Sequence, residues 1–375
     1  MPEVKARMKI KNSVTREPLI HITKRDDMST WKSALVHAVG LIFGMLVCGI
    51  FIMAFTGMSP IDVYVKMWQG TFGGSVTRIK ALHHAAILLA ISLAVTPAFK
   101  MKFWNIGAEG QVLMGSLAGA YCMLEFGSDL SEPVLLLVMF LVSMFAGIIW
   151  AVIPAIFKAF WNTNETLFTL MMNYVATTLV GYFVMVKDRS GRSDLGILNE
   201  RTGYGYFPKL FGKDYYLNII IVVIITIIAF VYLKYSKQGY EISVVGESQN
   251  TAKYIGINVK KVFIRTLAIS GAICGITGLM LVAGSPTPSI NEGIVGGQGF
   301  TAILVSWMAK FNPILMVFVS LLITFLSDGG ASATDALKID SSIGEVLTAI
   351  IIFCLIGCEF FTKYKVNFRN KKGVK

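Results

Sequence analysis

The sequence predicts an all-α membrane protein with about ten transmembrane helices. Three observations predict it. Residues 219–233, IIIVVIITIIAFVYL, hold nothing but apolar side chains, Thr226 and Tyr232. A helix in water keeps a polar face, and this stretch has none; about twenty such residues cross about 30 Å of hydrocarbon. Stretches of this kind recur along the 375 residues, of which 55% are hydrophobic and 15% charged, against roughly 25% charged in soluble domains. Finally, the basic residues gather between alternate pairs of apolar stretches, as they do where loops face the cytosol.

Ten spans are expected in order, at 34–56, 81–99, 106–124, 134–157, 165–186, 216–233, 262–284, 294–309, 313–327 and 343–361. The first follows a polar, basic tail, residues 1–33, and no small-residue cleavage site follows it. It is therefore read as a retained helix and not a signal peptide. The third and eighth are rich in glycine and are expected to be broken or re-entrant. That is allowed only where protein or a water-filled cavity satisfies the backbone. Five spans precede the long loop 187–215 and five follow it. An odd number per half turns the second half upside down relative to the first, which is the arithmetic of an inverted repeat. No internal sequence repeat accompanies it. The loop 187–215, with six glycine and proline positions, is expected as an external cap or a flexible connection.

Charge orients the bundle. With the N-terminus inside, the inner segments collect eight Lys and Arg in 1–33, six in 234–265 and six in 363–375, besides Lys100, Lys102, Lys158 and Lys310. Short loops decide orientation. The inner loop 100–105 has two lysines and no acid; the outer loop 125–133 has Glu125, Asp129 and Glu132 and no base. Both tails, 1–33 and 362–375, are thereby expected in the cytoplasm, flanking a membrane domain at 34–361.

The same placement excludes other functions. A formal charge of +12 suits nucleic acid binding, but these charges sit in tails and short loops beside apolar spans, so no nucleic acid partner is expected. The five cysteines lie within apolar spans at none of the spacings of a zinc site or disulfide framework. His83 and His84 are adjacent but without further ligands nearby in sequence. The glycines at 293–299 are not followed by the Gly-Lys-Ser/Thr of a phosphate loop. No constellation for catalysis or metal binding emerges.

Polar groups deep in a span mark the places to look for transport, because each is expensive in hydrocarbon. Asn164 and Glu165 open the fifth span, where an N-cap and a first-turn acid are also expected for structural reasons. Asn173 lies about 13 Å further on at 1.5 Å per residue, near the midplane. Thr166, Thr169, Asn173 and Thr177 share one helix face. That stripe either packs against another helix through hydrogen bonds or lines a path. Glu109 and Gln111 sit in NIGAEGQ, where Gly107 and Gly110 favour a local break; Glu109 is either an internal hydrogen-bond partner or a lining residue. Gly115 with Gly119, and Gly271 with Gly275, are spaced for close helix approach. Glu345 follows Ser342 in a capping-box pattern. Gln298 and Phe300 open the eighth span, where Phe300 either packs or stacks on a flat ring, and Trp307 suits the inner interface.

Residues 234–261 form the longest inner loop, and a short helix is expected inside it at 248–256. Ser248 or Asn250 can cap its start. Ala252, Tyr254 and Ile255 give it a partly apolar face, and Gly256 stands where a helix stops. Such a helix can lie on the membrane surface or dock into a cytoplasmic partner, and composition leaves both open.

The stretch GYEISVVGESQNTAKYIGINVKKVFIRTLAISGAICGITG at 239–278 resembles the coupling-loop region of bacterial ABC importer permeases, in the branch serving simple sugars, branched-chain amino acids and nucleosides. FWNIGAEGQVLMGSLAGAY at 103–121 and NETLFTLMMNYVA at 164–176 are similar to the same branch, and GGQGFTAILVSWMAKFNP at 296–313 matches it with substitutions. The four blocks fall in the family's order and cover most of the chain after residue 80. Together they look most like nucleoside-type permeases, with sugar permeases next.

The resemblance implies a type II ABC importer-like permease of inverted five-helix halves. Such a subunit is not an enzyme and carries no cofactor; ATP is bound and hydrolysed on a partner ATPase. Further implied partners are a second, different permease chain and an extracellular substrate-binding lipoprotein or periplasmic protein, in the bilayer of a bacterial inner (plasma) membrane. Coupling would fall to Gly246, Ser248, Asn250, Ala252, Tyr254 and Gly256. The pathway candidates are Glu109, Gln111, Glu165, Thr169, Asn173, Thr177, Gln298 and Phe300. Two rivals stand beside a nucleoside permease: a sugar or branched-chain amino acid permease of the same build, and an ion-coupled transporter needing no ATPase.

Overall fold

A computed structural model describes residues 20–24, 29–188 and 194–368. The rest of both tails, with most of their basic charge, and residues 189–193 lie outside the described residues. The elements in chain order are β1 (Ile20–Lys24), α1 (Thr30–Thr56), α2 (Pro60–Phe72), α3 (Ser75–Lys100), α4 (Ala108–Phe126), α5 (Glu132–Trp161), α6 (Glu165–Lys187), α7 (Tyr216–Tyr235), α8 (Lys237–Glu247), α9 (Gln249–Tyr254), α10 (Val259–Ala283), α11 (Gln298–Met308), α12 (Pro313–Leu337), α13 (Ser341–Lys363) and β2 (Tyr364–Phe368). Among the described residues, eight helices are long and apolar enough to cross a membrane: α1, α3, α5, α6, α7, α10, α12 and α13.

The two remaining expected spans are α4 and α11. The 19 residues of α4 reach about 28 Å at 1.5 Å per residue, so α4 is a crossing diluted by glycines and acids. The eighth span is broken, as its glycines predict, and its helix is shorter than the span expected at 294–309. Only 11 residues, Gln298–Met308, are helical, about 16 Å and half of the hydrocarbon. The preceding stretch is a run of turns, which Gly297 enters at φ 75°, a region where only glycine is at ease. A second correction concerns the start of α13. Asp340 Oδ1 accepts from Ser342 N at 2.8 Å, so the cap is Asp340 and not the predicted Ser342.

Two helices were not foreseen. The 13-residue α2 mixes Asp62, Lys66 and Gln69 with apolar residues, too polar to read as a span. It buries Val63, Met67 and Thr71, at i, i+4 and i+8 on one face, and its Gly70 lies against Ser332 of α12. The other is α8, described below.

The chain divides into two compact units. In the first, residues up to Gly57 and from Ala349, α1 packs on the C-terminal part of α13 where Gly40 meets Cys358 and Gly44 meets Ile351 and Cys354. His37 lies 3.4 Å from Glu359. The chain segments flanking these helices, β1 and β2, pair antiparallel, with Ile22 opposite Val366.

The second unit, Met58–Thr348, is built around α10. Lipid tails are as apolar as leucine, so helices in a bilayer hold together by close packing and hydrogen bonds, and small residues allow it. The predicted glycine pairs do this here. A Cβ on Gly275 would strike the Ser143 carbonyl of α5, one on Gly271 would strike the Gly147 carbonyl, and one on Gly115 of α4 would strike Gly275 itself. The backbones of α4, α5 and α10 are therefore in direct contact. Over the C-terminal ends of α4 and α10 lies the described part of the long loop, an ordered cap: Leu198 N donates to Pro288 O, Phe207 N to Ala283 O, and Asn199 Nδ2 to Met123 O.

Gly275→Leu is expected to abolish the folded subunit, since rigid backbone must move and the loss exceeds the roughly 1–3 kcal/mol of ordinary overpacking. Gly357→Ala, at a position open on all sides, should be tolerated. Size-exclusion profiles of the two tagged variants in mild detergent check the contrast.

Candidate functional site

Two helices of the second unit begin inside the bundle. The first follows α3. After Lys100 the chain runs without helix through Phe103 and Asn105, and α4 starts only at Ala108. Its first turn lies beside the second and third turns of α6. Thr169 Oγ1 accepts from Ile106 N at 3.2 Å. Asn173 Oδ1 accepts from Gly110 N at 2.9 Å, and Asn173 Nδ2 donates to Ile106 O at 2.9 Å. Thr169 and Asn173 are 4 and 8 residues past the start of α6, which places this junction roughly 6–12 Å along it. The free N–H groups at the start of a helix need partners, and in hydrocarbon water cannot supply them. Thr169 and Asn173 supply them here.

Asn105 completes the junction. It is fully buried; its Oδ1 accepts from Gly107 N at 3.1 Å and from Gln111 Nε2 at 3.2 Å, while its Nδ2 reaches Ser270 Oγ of α10 at 3.4 Å. Asn105 is not among the predicted site residues. Its signal was the Asn-x-Gly pattern in which asparagine closes a turn on the backbone two residues on.

The second helix that begins inside is α11. Its free N–H groups are met by Glu109, from the first turn of α4: Oε1 accepts from Gly297 N at 2.8 Å and Oε2 from Gly299 N at 2.7 Å. The carboxylate thus sits on the positive end of the α11 dipole. A side chain on Gly299 would collide with the Glu109 backbone, so the close approach needs that glycine. One residue joins two helix starts, those of the third and eighth segments of the chain.

The predicted pathway residues therefore fall into groups. Glu109, Gln111, Thr169, Asn173 and Gln298 gather at the junction. Thr169, Asn173 and Gln111 are buried within the chain, Glu109 and Gln298 half-buried. Gln111 Oε1 and Gln298 Oε1 are buried without a hydrogen-bond partner among the described residues. Thr177 returns its hydroxyl to Asn173 O. Glu165 stands apart, paired with Lys158 at 2.9 Å, and Asn164 caps α6 through Leu167 N. Phe300 is 44% exposed, Trp307 44% and Trp104 46%. The last two lie side by side, ring centroids 5.5 Å apart. Irregular backbone and a half-length helix cannot face lipid, so the exposed sides of Trp104 and of α11 face a cavity or another protein chain. The two histidines serve elsewhere: His84 pairs with Asp328 at 2.9 Å, and His83 with Asn218 at 2.8 Å.

The loop 234–261 holds two helices where one was expected. α8 runs from Lys237, capped by Ser236, and α9 from Gln249, capped by Ser248 through Thr251 N; Gly256 ends it at φ 86°. The predicted coupling residues divide. Asn250, Tyr254 and Gly256 are exposed, Tyr254 by 93%. Ala252 and Gly246 are buried. Ala252 packs in a cluster with Ile242, Val245, Met101, Phe103 and Phe263, and a Cβ on Gly246 would meet the Lys100 carbonyl and Met101. One face of this helical pair is open, and the other rests on the non-helical segment that leads to α4.

A multi-pass bundle with two helix starts buried in it, and a helical pair standing clear at one end, is the build of a transport subunit. Comparison with known proteins bears on this directly. Residues 78–356 match the model of the branched-chain amino acid transport system permease component family, and the chain belongs to that family. It is 26% identical to a glucose ABC transporter permease of Haloferax volcanii, over 93% of each chain. It is 27% identical to a guanosine ABC transporter permease of Bacillus subtilis, over 90% of this chain and 97% of that one. A nucleoside ABC transporter permease of Lactococcus lactis is 25% identical over 86% and 90%. The chain is accordingly a membrane-spanning ABC permease subunit, not itself an enzyme. ATP hydrolysis in such systems belongs to a separate subunit, and permeases of this family work with ATPase and permease partners.

Asn173→Leu is expected to leave Gly110 N–H and Ile106 C=O without partners, at about 1–3 kcal/mol for each buried group. Thermal unfolding of the purified complex should show a lower midpoint, with transport reduced in parallel. A fall in transport with an unchanged midpoint would mean that Asn173 acts on the solute and not on the helix start.

Proposed function

We propose that this chain is the pathway-forming subunit of an ATP-driven nucleoside importer in a bacterial plasma membrane, with α8 and α9 on the cytoplasmic side. The observation that carries the reading is the junction at Glu109, with its link to the helical pair. α9 through Ala252 and α8 through Gly246 rest on the start of the segment 101–107, and that segment ends in the helix start which Glu109 ties to α11. An ATPase closing on the exposed face of α9 would displace the segment and, with it, both buried helix starts. ATP is the partner's ligand, and this chain holds no cofactor. A second permease chain, of different sequence, would cover the exposed sides of Trp104, Phe300 and Trp307, and an extracellular binding protein would deliver the solute.

Support for nucleosides comes from the guanosine and nucleoside permeases among the relatives and from the aromatic rings on the open side of α11. Stacking of a nucleobase on such a ring contributes about 1–3 kcal/mol. Sugar transport is the second reading, favoured by the glucose permease of Haloferax volcanii, which matches over most of both chains.

Uptake of labelled guanosine into cells expressing the full complex, with unlabelled guanosine, ribose or leucine as competitors, separates these. Competition by nucleosides alone is expected; block by ribose or leucine and not by nucleosides overturns the substrate assignment. Tyr254→Asp should abolish uptake and leave α9 folded, since its ring touches solvent only. Normal uptake with normal ATPase co-purification in that variant would remove the coupling role.

A further inference from the structure

We infer that the pocket at the α8 end of the second unit binds the phosphate of an anionic phospholipid. It has a volume of about 430 Å³ and lies where α3 and α7 end, α8 begins and α11 turns into α12. Lys100 and Lys234 line it, and no carboxylate does. Neither lysine is paired with a carboxylate among the described residues. The nearest acid in sequence to the α8 wall, Glu241, is turned to Arg265 at 2.9 Å.

Helix dipoles account for a lysine at the end of α3 and another at the end of α7. They do not account for two of them lining one open pocket with further donors. Asn312 also lines it, and because its Oδ1 is used to cap Ile314 N, its amide N–H groups are left to donate. Tyr240 adds a largely exposed side chain with a phenol hydroxyl. Two ammonium groups, an amide and a phenol suit the oxygens of a phosphate diester.

The rest of the wall selects between sources of phosphate. Phe230, Leu233 and Phe311 supply hydrocarbon, which a free phosphate ion has no use for. The volume also exceeds what that ion fills. One turn before Phe230, Ile227 is exposed, and Val231 beside it is as well. On α12, Ile314 and Phe318 are exposed. An acyl chain can leave the pocket along these apolar side chains while its headgroup stays with the lysines. Basic pockets between membrane helices near the interface hold anionic headgroups in this way. The inference is independent of which solute is carried.

The test uses the complete complex, purified in mild detergent from cells, with lipids counted by native mass spectrometry. Phosphatidylglycerol or cardiolipin should be retained by the wild-type complex. Retention should fall about 30-fold in K100Q/K234Q, from roughly a factor of five per lysine, and by about a factor of five in K234Q alone. K260Q/K261Q, at a different basic surface, should retain lipid as the wild type does. Equal retention in all complexes, or none in the wild type, overturns the proposal. Thermal midpoints in phosphatidylcholine vesicles with and without phosphatidylglycerol form a second arm. Stabilisation by phosphatidylglycerol that K100Q/K234Q lacks supports it, whereas equal stabilisation by inorganic phosphate in plain phosphatidylcholine points to a soluble ion and overturns the lipid assignment.

Discussion

A helix that begins within a bilayer leaves its first N–H groups where no water can reach them, and this chain does so twice. The four first-turn donors of a helix are bonded by solvent or a cap in a soluble protein. Within hydrocarbon each one left bare would cost several kcal/mol. Glu109 meets the requirement for α11 with both carboxylate oxygens, and the Thr169 and Asn173 side chains meet it for the entry to α4. Most other features of the second unit follow. α6 must present its polar stripe to α4, α10 must bring Ser270 under Asn105, and glycines must stand at 107, 110 and 299 so that backbones can come within bonding distance.

The same requirement makes the junction an apt place for movement. A continuous helix resists bending along its whole length, whereas a chain that leaves one helix at Lys100 and enters the next at Ala108 can rotate about the connection. The hydrogen bonds at this point are few and directional. They join α4, α6, α10 and α11, so a shift of residues 101–107 is felt by all four. The apolar cluster under α8 and α9 contains Met101 and Phe103 from that connection. It therefore joins α8 and α9 to the connection before α4 through packed apolar side chains.

How much of this was legible in the sequence depended on the length scale. Lipid imposes apolarity over some twenty residues, a signal strong enough to locate the eight long apolar helices, and glycine content singled out 294–309 as irregular, whereas 106–124, marked for the same reason, is an unbroken helix from Ala108. Helix pairing was readable too, because Gly271 and Gly275 have only one good use on a membrane helix. The amphipathic α2 escaped because 13 residues of mixed polarity carry neither a span signal nor a strong cap. α8 escaped because Gly239 and Gly246 lower helix propensity; those glycines are there for contact with the carbonyls of α7 and α3, which only the tertiary structure reveals. The start of α13 was displaced because Asp340 and Ser342 are both good caps, and local pattern does not rank them. For Asn173 the sequence left packing and lining open. Its hydrogen-bond partners lie 63 and 67 residues away, a distance no local rule spans.

The antiparallel pairing of β1 with β2 has a topological meaning. Segments near the two ends of the chain, Ile20–Lys24 and Tyr364–Phe368, can form one ladder only if they emerge on the same face of the bilayer. The polypeptide must then traverse the membrane an even number of times. Among the described residues the eight long helices and α4 give nine candidate crossings, an odd number, so an even count calls for one more, and the run of turns with α11 is the segment left to supply it. A two-stranded ribbon thus constrains the parity of the whole path, and gives a helix too short to span a place in the count.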